Sequence, residues 1–250
     1  MSGHSKWASI KHKKAATDAA RGKIFTKHAK LITVAVKEGG GSGDPNTNSS
    51  LRLTIENAKK DNMPNNNIER AIKKGTGEDK DSVQLMEVVY EAIGPGGTAL
   101  MITTLTDNKN RTFPNVRTAV EKKGGTMGAA GSSAWMFEKK GVILASGLAG
   151  DDAEMAIIEA GADDYSDNGD GTFEIYTDLK DLHTVREALM SGGFQIEQAE
   201  VSFVAKDYKR ITDLDTAKKI VALIENVEED EDVTDVSGNF DIADEVMGEL

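Results

Sequence analysis

The chain has 250 residues and a formal net charge of -12, a length that suggests two domains or three small ones. It contains no Cys, which excludes a disulfide framework, a zinc ribbon and a thiol nucleophile together. No apolar run approaches the roughly 18 residues of a membrane-crossing helix, and MSGHSKWASIKHKK lacks the apolar region of a secretory signal. The overall charge is unevenly spread: residues 1–74 carry +9, residues 75–141 carry 0 and residues 142–250 carry -21. A basic module joined to an acidic body fits an anionic partner for its first third, although such blocks also serve solubility alone.

In the first 30 residues, Lys6, Lys11, Lys13, Lys14, Arg21, Lys23, Lys27 and Lys30 face the single Asp18, with Trp7 and His12 interleaved. Cations with an aromatic among them can follow a phosphate backbone and stack on a base. Alternatively, Trp7 and Ile10 pin the arm to the module while the lysines are solvated. From Thr17 to about Lys37 the spacing of Phe25, His28, Ala29, Ile32 and Val36 predicts a helix, with Lys23, Lys27, Lys30 and Lys37 opposite the apolar stripe. Gly39–Gly41 ends it, and the composition of residues 39–50 predicts a flexible loop. A second helix is expected over 50–61 with Leu51, Ile55 and Ala58 inward. A third opens after Pro64 at a capping box of Asn66 and Glu69, buries Ile68, Ala71 and Ile72, and stops at Gly75.

Two strands follow, 86–93 and 98–106, joined by the turn Gly94–Gly97. Residues 107–112 read as a polar loop, 113–123 as a helix and 124–134 as a glycine-rich linker. Beyond it the order β-α-β-β-α-β, 141–204, is that of the ferredoxin-like unit. A helix near 215–226, an acidic run and a strand at 233–236 complete the chain. The expected class is α+β and multidomain: an N-terminal all-α module (1–76), then two ferredoxin-like sandwiches. One of these is split (77–131 and 207–250), with the other (132–206) inserted into it.

No motif of an enzyme is present, and GPGG is only a turn. His4, His12, His28 and His183 lack metal-ligand spacing, so neither metal nor cofactor is implied. Asp164–Thr172 resembles a calcium loop, but Ile175 stands where its bidentate Glu belongs; a hairpin turn is the better account.

The stretches GHSKW (3–7), KHKKAATDAARGKIFTK (11–27), NNIERAIKKG (66–75), YEAIGPGGTALMI (90–102), DNKNRT (107–112) and KKGV (139–142) closely resemble the YebC family. Its mitochondrial branch includes the translational activator of cytochrome c oxidase. The resemblance implies three domains and a non-enzymatic role in gene expression. Members are described as DNA-binding transcriptional regulators, others as ribosome-associated translation factors that help synthesis through proline-rich stretches. It implies nucleic acid as partner, DNA or ribosomal RNA, with the ribosome a further candidate and neither membrane nor small-molecule substrate involved. The matched positions available for contact are the basic residues of the arm and first helix, with Asn108, Asn110 and Arg111 in addition. GHSKW begins two residues after Met1, which leaves no room for a transit peptide and implies a bacterial cytosol. A protein–protein adaptor with an acidic docking surface is the reading of another class.

Overall fold

The computed structural model describes residues 18–78 and 84–250, with side-chain surroundings from residue 22 onward. The chain divides into two compact units. One runs to Ser133 and resumes over Lys218–Val236; the other holds Ala134–Ala217 and Ser237–Leu250. The segment 207–250 is thus shared between the two units.

The first unit begins with three helices, α1 (Asp18–Glu38), α2 (Ser49–Lys60) and α3 (Asn65–Thr76). Ile32 and Val36 of α1, Leu51, Ile55 and Ala58 of α2, and Ile68 and Ala71 of α3 form one buried core, as their spacing predicts. Gly40 and Gly41, with φ of 71° and 83°, let the chain turn off α1 so that the Gly41 amide reaches Val36 O at 2.9 Å. The loop that follows is tied rather than loose. Asn48 is buried; its Oδ1 accepts from Leu51 N, capping α2, and its Nδ2 donates to Ala35 O at 2.9 Å. Helix α3 starts directly after Pro64, whose carbonyl accepts from Ile68 N, and not at an Asn66 capping box. It also runs through Gly75, ending at Gly77 in the left-handed region. Gly75 lies in the helix because a Cβ there would stand 2.5 Å from Val36 Cβ, so its bare backbone sets how closely α3 approaches α1.

Strands β1 (Met86–Gly94) and β2 (Thr98–Thr106) form an antiparallel hairpin in unbroken register, Met86 opposite Thr106 and Gly94 opposite Thr98. Helix α4 (Lys109–Lys122) begins four residues earlier than the expected start at 113, since Asn108 Oδ1 accepts from the amides of Asn110 and Arg111. The expected polar loop 107–112 is therefore mostly the first turn of a capped helix. The expected linker 124–134 is likewise anchored. Thr126–Met127 forms β3 beside β1, and the buried Glu91 carboxylate accepts from the amides of Gly131 and Ser133 and from Ser132 Oγ. With β9 (Val233–Gly238) the sheet order is β3-β1-β2-β9. Helix α7 (Leu214–Glu228) precedes β9 and meets α4 through Asn226 Nδ2, which donates to Ala119 O at 2.9 Å.

In the second unit the elements are β4 (Phe137–Ser146), α5 (Gly150–Glu159), β5 (Asp164–Asp167), β6 (Thr172–Thr177), α6 (Leu182–Ser191) and β7 (Gln195–Ala205). The sheet order is β5-β6-β4-β7, and every neighbouring pair is antiparallel. The calcium-like stretch is a hairpin turn, with Asn168 N bonded to Thr172 O and positive φ at Gly169 and Gly171. Strands β8 (Lys209–Ile211) and β10 (Phe240–Ile242) make a separate parallel pair. Among the described residues, no helix is long and apolar enough to cross a membrane, and no group of three acidic, His or Cys side chains could hold a metal ion.

Candidate nucleic-acid interface

Of the basic residues singled out in the sequence, Lys6, Trp7, Lys11, His12, Lys13 and Lys14 lie outside the described residues. Arg21 belongs to α1 by its backbone, and its side chain lies outside them too. Lys23 is exposed on α1 and Lys27 is half-buried. The ends of α2 and α3 add Lys59, Lys60, Lys73 and Lys74, all exposed. These four cations were missed in the sequence because each lies in the last turn of a short helix, where lysine is equally favoured by the helix dipole.

His28 sits on the buried side of α1, its Nε2 2.5 Å from Asp61 Oδ2, so it fastens α1 to the end of α2. Lys30 behaves unlike its neighbours. It turns to the loop between α7 and β9, where Nζ lies 2.5 Å from Asp232 Oδ1 and 2.7 Å from Glu231 O. Only 17% of the Lys30 side chain and 7% of the Asp232 side chain remain exposed. The helical-wheel position opposite the apolar stripe is thus covered by the sheet portion of the same unit.

Arg111 reaches the same carboxylate from α4. Its Nη2 donates to Asp232 Oδ2 at 3.1 Å and to Asp107 Oδ1 at 2.7 Å. The Thr112 hydroxyl donates to Asp232 Oδ2 at 2.6 Å, and Thr106 Oγ1 lies 2.7 Å behind it. Burial pushes the Asp232 carboxyl up, but the hydrogen bonds from Lys30, Thr112 and Arg111 and the Lys30 charge outweigh it, bringing the pKa to about 2. The hydrogen bonds to Asp232 and Asp107 in turn push the Arg111 guanidinium up. Burial, and then the Asp232 charge, push the Tyr90 phenol up as well. A buried ion pair of this kind is costly to break from one side, by about 3–5 kcal/mol, since a desolvated charge is left behind.

Beside this cluster opens a cleft of about 750 Å³, lined by Thr26, Lys30, Lys74, Arg111, Asn115 and the turn Glu229–Asp232. Asn108, by contrast, spends its side chain on the α4 cap, while Asn110 is exposed and immediately precedes the cleft's Arg111. The structure therefore brings Lys30 and Arg111 together through Asp232, and Asp232 carried no signal in a strongly acidic stretch.

Comparisons with known proteins agree along the whole chain. Residues 5–78 match the TACO1/YebC protein N-terminal domain, and residues 85–240 match the TACO1/YebC second and third domain. A probable transcriptional regulatory protein of Fusobacterium nucleatum is 48% identical over 252 residues, covering all of both chains. One from Corynebacterium glutamicum is 46% identical over 252 residues, covering 100% of this chain and 99% of the relative. The crystal structure of a conserved hypothetical protein from Aquifex aeolicus superposes with a TM-score of 0.86 at 42% identity, covering 95% of this chain and 97% of that one. With its three N-terminal helices followed by an α/β region of two sheets, the chain belongs to the TACO1/YebC family.

Proposed function

We propose that the protein is a non-enzymatic, nucleic-acid-binding regulator of gene expression that holds the phosphate backbone with its N-terminal helical module and acts on DNA in the bacterial cytoplasm. The observation that carries this reading is the charge gradient set on the fold. Residues 1–74 carry +9, and Lys23, Lys59, Lys73 and Lys74 stand exposed around a closed apolar core. The strongly acidic remainder is repelled by phosphate and turns the module towards it. Relatives named probable transcriptional regulatory proteins support the choice of DNA. The architecture that goes with it is the three-domain one, with ferredoxin-like sandwiches and the second inserted in the first.

Charge reversal tests the reading. Lys11, Lys13, Lys14, Lys23 and Lys27 are replaced by Glu, and fluorescence anisotropy is followed with a labelled 30-base-pair DNA and a 30-nucleotide RNA. Loss of a strongly salt-dependent binding to DNA is expected; binding that survives unchanged rejects the module as the interface. A preference for RNA, together with comigration with ribosomal subunits on a sucrose gradient, replaces DNA by ribosomal RNA as the target.

A further inference from the structure

Asp232 is held as a bound phosphate would be. One oxygen accepts from an ammonium, the other from a guanidinium and a hydroxyl, and those donors come from two elements far apart in sequence. Lys30 rises from α1, whereas Arg111 and Thr112 sit in the first turn of α4, where the helix dipole favours an anion. The carboxylate itself is offered by a turn, Glu229–Asp232, and not by the body of a helix or strand. All four residues of that turn are acidic, and all four line the adjoining cleft.

We propose that Lys30, Arg111 and Thr112 form a binding site for a phosphate group of nucleic acid, and that Asp232 occupies this site in the free protein. The inference rests on the nucleic-acid reading above and adds a site and its internal competitor. The cleft of about 750 Å³ has room for a nucleotide, with Lys74 and Asn115 on its walls to meet the flanking backbone. A backbone phosphodiester carries the same single charge and two free oxygens as a carboxylate, so it satisfies the same donors, and in the cleft it gains Lys74 in addition. Its approach also repels the four acidic residues of the turn, which moves Asp232 out as the phosphate moves in. Half of the Arg111 side chain is already exposed, which leaves it reachable before the turn moves. Binding to the module is therefore graded by the turn: full engagement of Lys30 and Arg111 requires a ligand strong enough to displace Asp232.

The test compares the full chain with Asp232→Asn, which keeps the side-chain volume and removes the charge. With the labelled RNA and DNA above, near 0.15 M salt, the variant is expected to bind about tenfold tighter, with a log–log salt slope steeper by about 1–2 as one or two cations become available. Adding Lys30→Gln and Arg111→Gln to Asp232→Asn is expected to abolish that gain. Equal or weaker binding by a folded Asp232→Asn overturns the site.

Hydrogen exchange on the unaltered protein tests it without any variant. Amides of residues 229–233 are expected to exchange faster with saturating nucleic acid bound, and unchanged or slower exchange overturns the proposal. Binding that is lost on reversing Lys11, Lys13, Lys14, Lys23 and Lys27 but is indifferent to Asp232→Asn overturns the phosphate site alone. Binding indifferent to both sets of changes overturns the functional reading with it.

Discussion

Lys30 and Asp232 are separated by 202 positions in the chain and meet at 2.5 Å, joining the first helix to the loop that leads into the last strand of its sheet. The pair lies among donors that satisfy both carboxylate oxygens, which distinguishes it from exposed ion pairs such as Arg117–Glu121 on the surface of α4. Exposed pairs contribute little, about 0–1 kcal/mol, whereas this one controls a desolvated charge.

Acid stability follows from that contact. The Asp232 pKa falls from 3.8 to about 2 on folding, so its contribution is present above pH 4 and is lost as pH drops from about 4 through 2. At neutral pH the shift corresponds to at most about 2–3 kcal/mol. Urea unfolding of the protein and of Asp232→Asn should show a constant gap in stability above pH 5 that narrows towards pH 2. A gap that stays constant down to pH 2 would show that the carboxylate is not specially stabilised.

Glu91 is the anchor of residues 128–133. Replacing it with Ala leaves the Gly131 and Ser133 amides without their acceptor, at an expected cost of about 2–4 kcal/mol. Glu91→Gln keeps one acceptor oxygen and should cost less. Proteolysis is the second readout: cleavage in 128–133 should rise for Glu91→Ala well below its unfolding midpoint.

The approach of α3 to α1 depends on the missing side chain at Gly75. Gly75→Ala forces a methyl against Val36 and should destabilise by about 1–3 kcal/mol, despite alanine's better helix propensity. Val36→Ala, itself destabilising through a cavity, should recover part of that loss in the double variant. Strict additivity of the two changes in thermal unfolding would reject the contact.

Asn48 combines a cap with a tie to the end of α1. Asn48→Ala removes both bonds and should cost about 1–2 kcal/mol, whereas Asn48→Asp retains the cap and loses the bond to Ala35 O. Chemical denaturation should therefore rank the Asp variant between the other two, and equal values for Asp and Ala would mean the cap contributes nothing.

Much of the architecture was legible in the sequence because local patterns suffice for it. The strands 86–93 and 98–106 emerge at nearly those bounds, since glycines and Pro95 punctuate an apolar run. The order β-α-β-β-α-β is equally plain. Other features depended on partners distant in sequence. The apolar spacing suggests a helix from 113, but the cap is made five residues earlier by Asn108. Glycines 124–131 read as slack until Glu91 is seen to hold them. A helical wheel places Lys30 opposite the core of three helices, with no way to show a second surface on that side. Asn110 and Arg111 were singled out for a loop, and the structure presents them instead on the first turn of α4, with Arg111 at the cleft.

The division of the first unit between the stretch ending at Ser133 and Lys218–Val236 sets an order on biosynthesis. A ribosome adding 5–20 residues per second takes roughly 10–40 s to pass from Lys30 to its partner Asp232. Throughout that interval β2 has β1 on one side and an unpaired edge on the other, because β9 has not been made. The β4–β7 sheet is contiguous in the chain and completes during the wait. The nascent protein therefore closes its β4–β7 sheet before the sheet of β1 and β2, and guarding the open edge of β2 is a task for the period before β9 emerges.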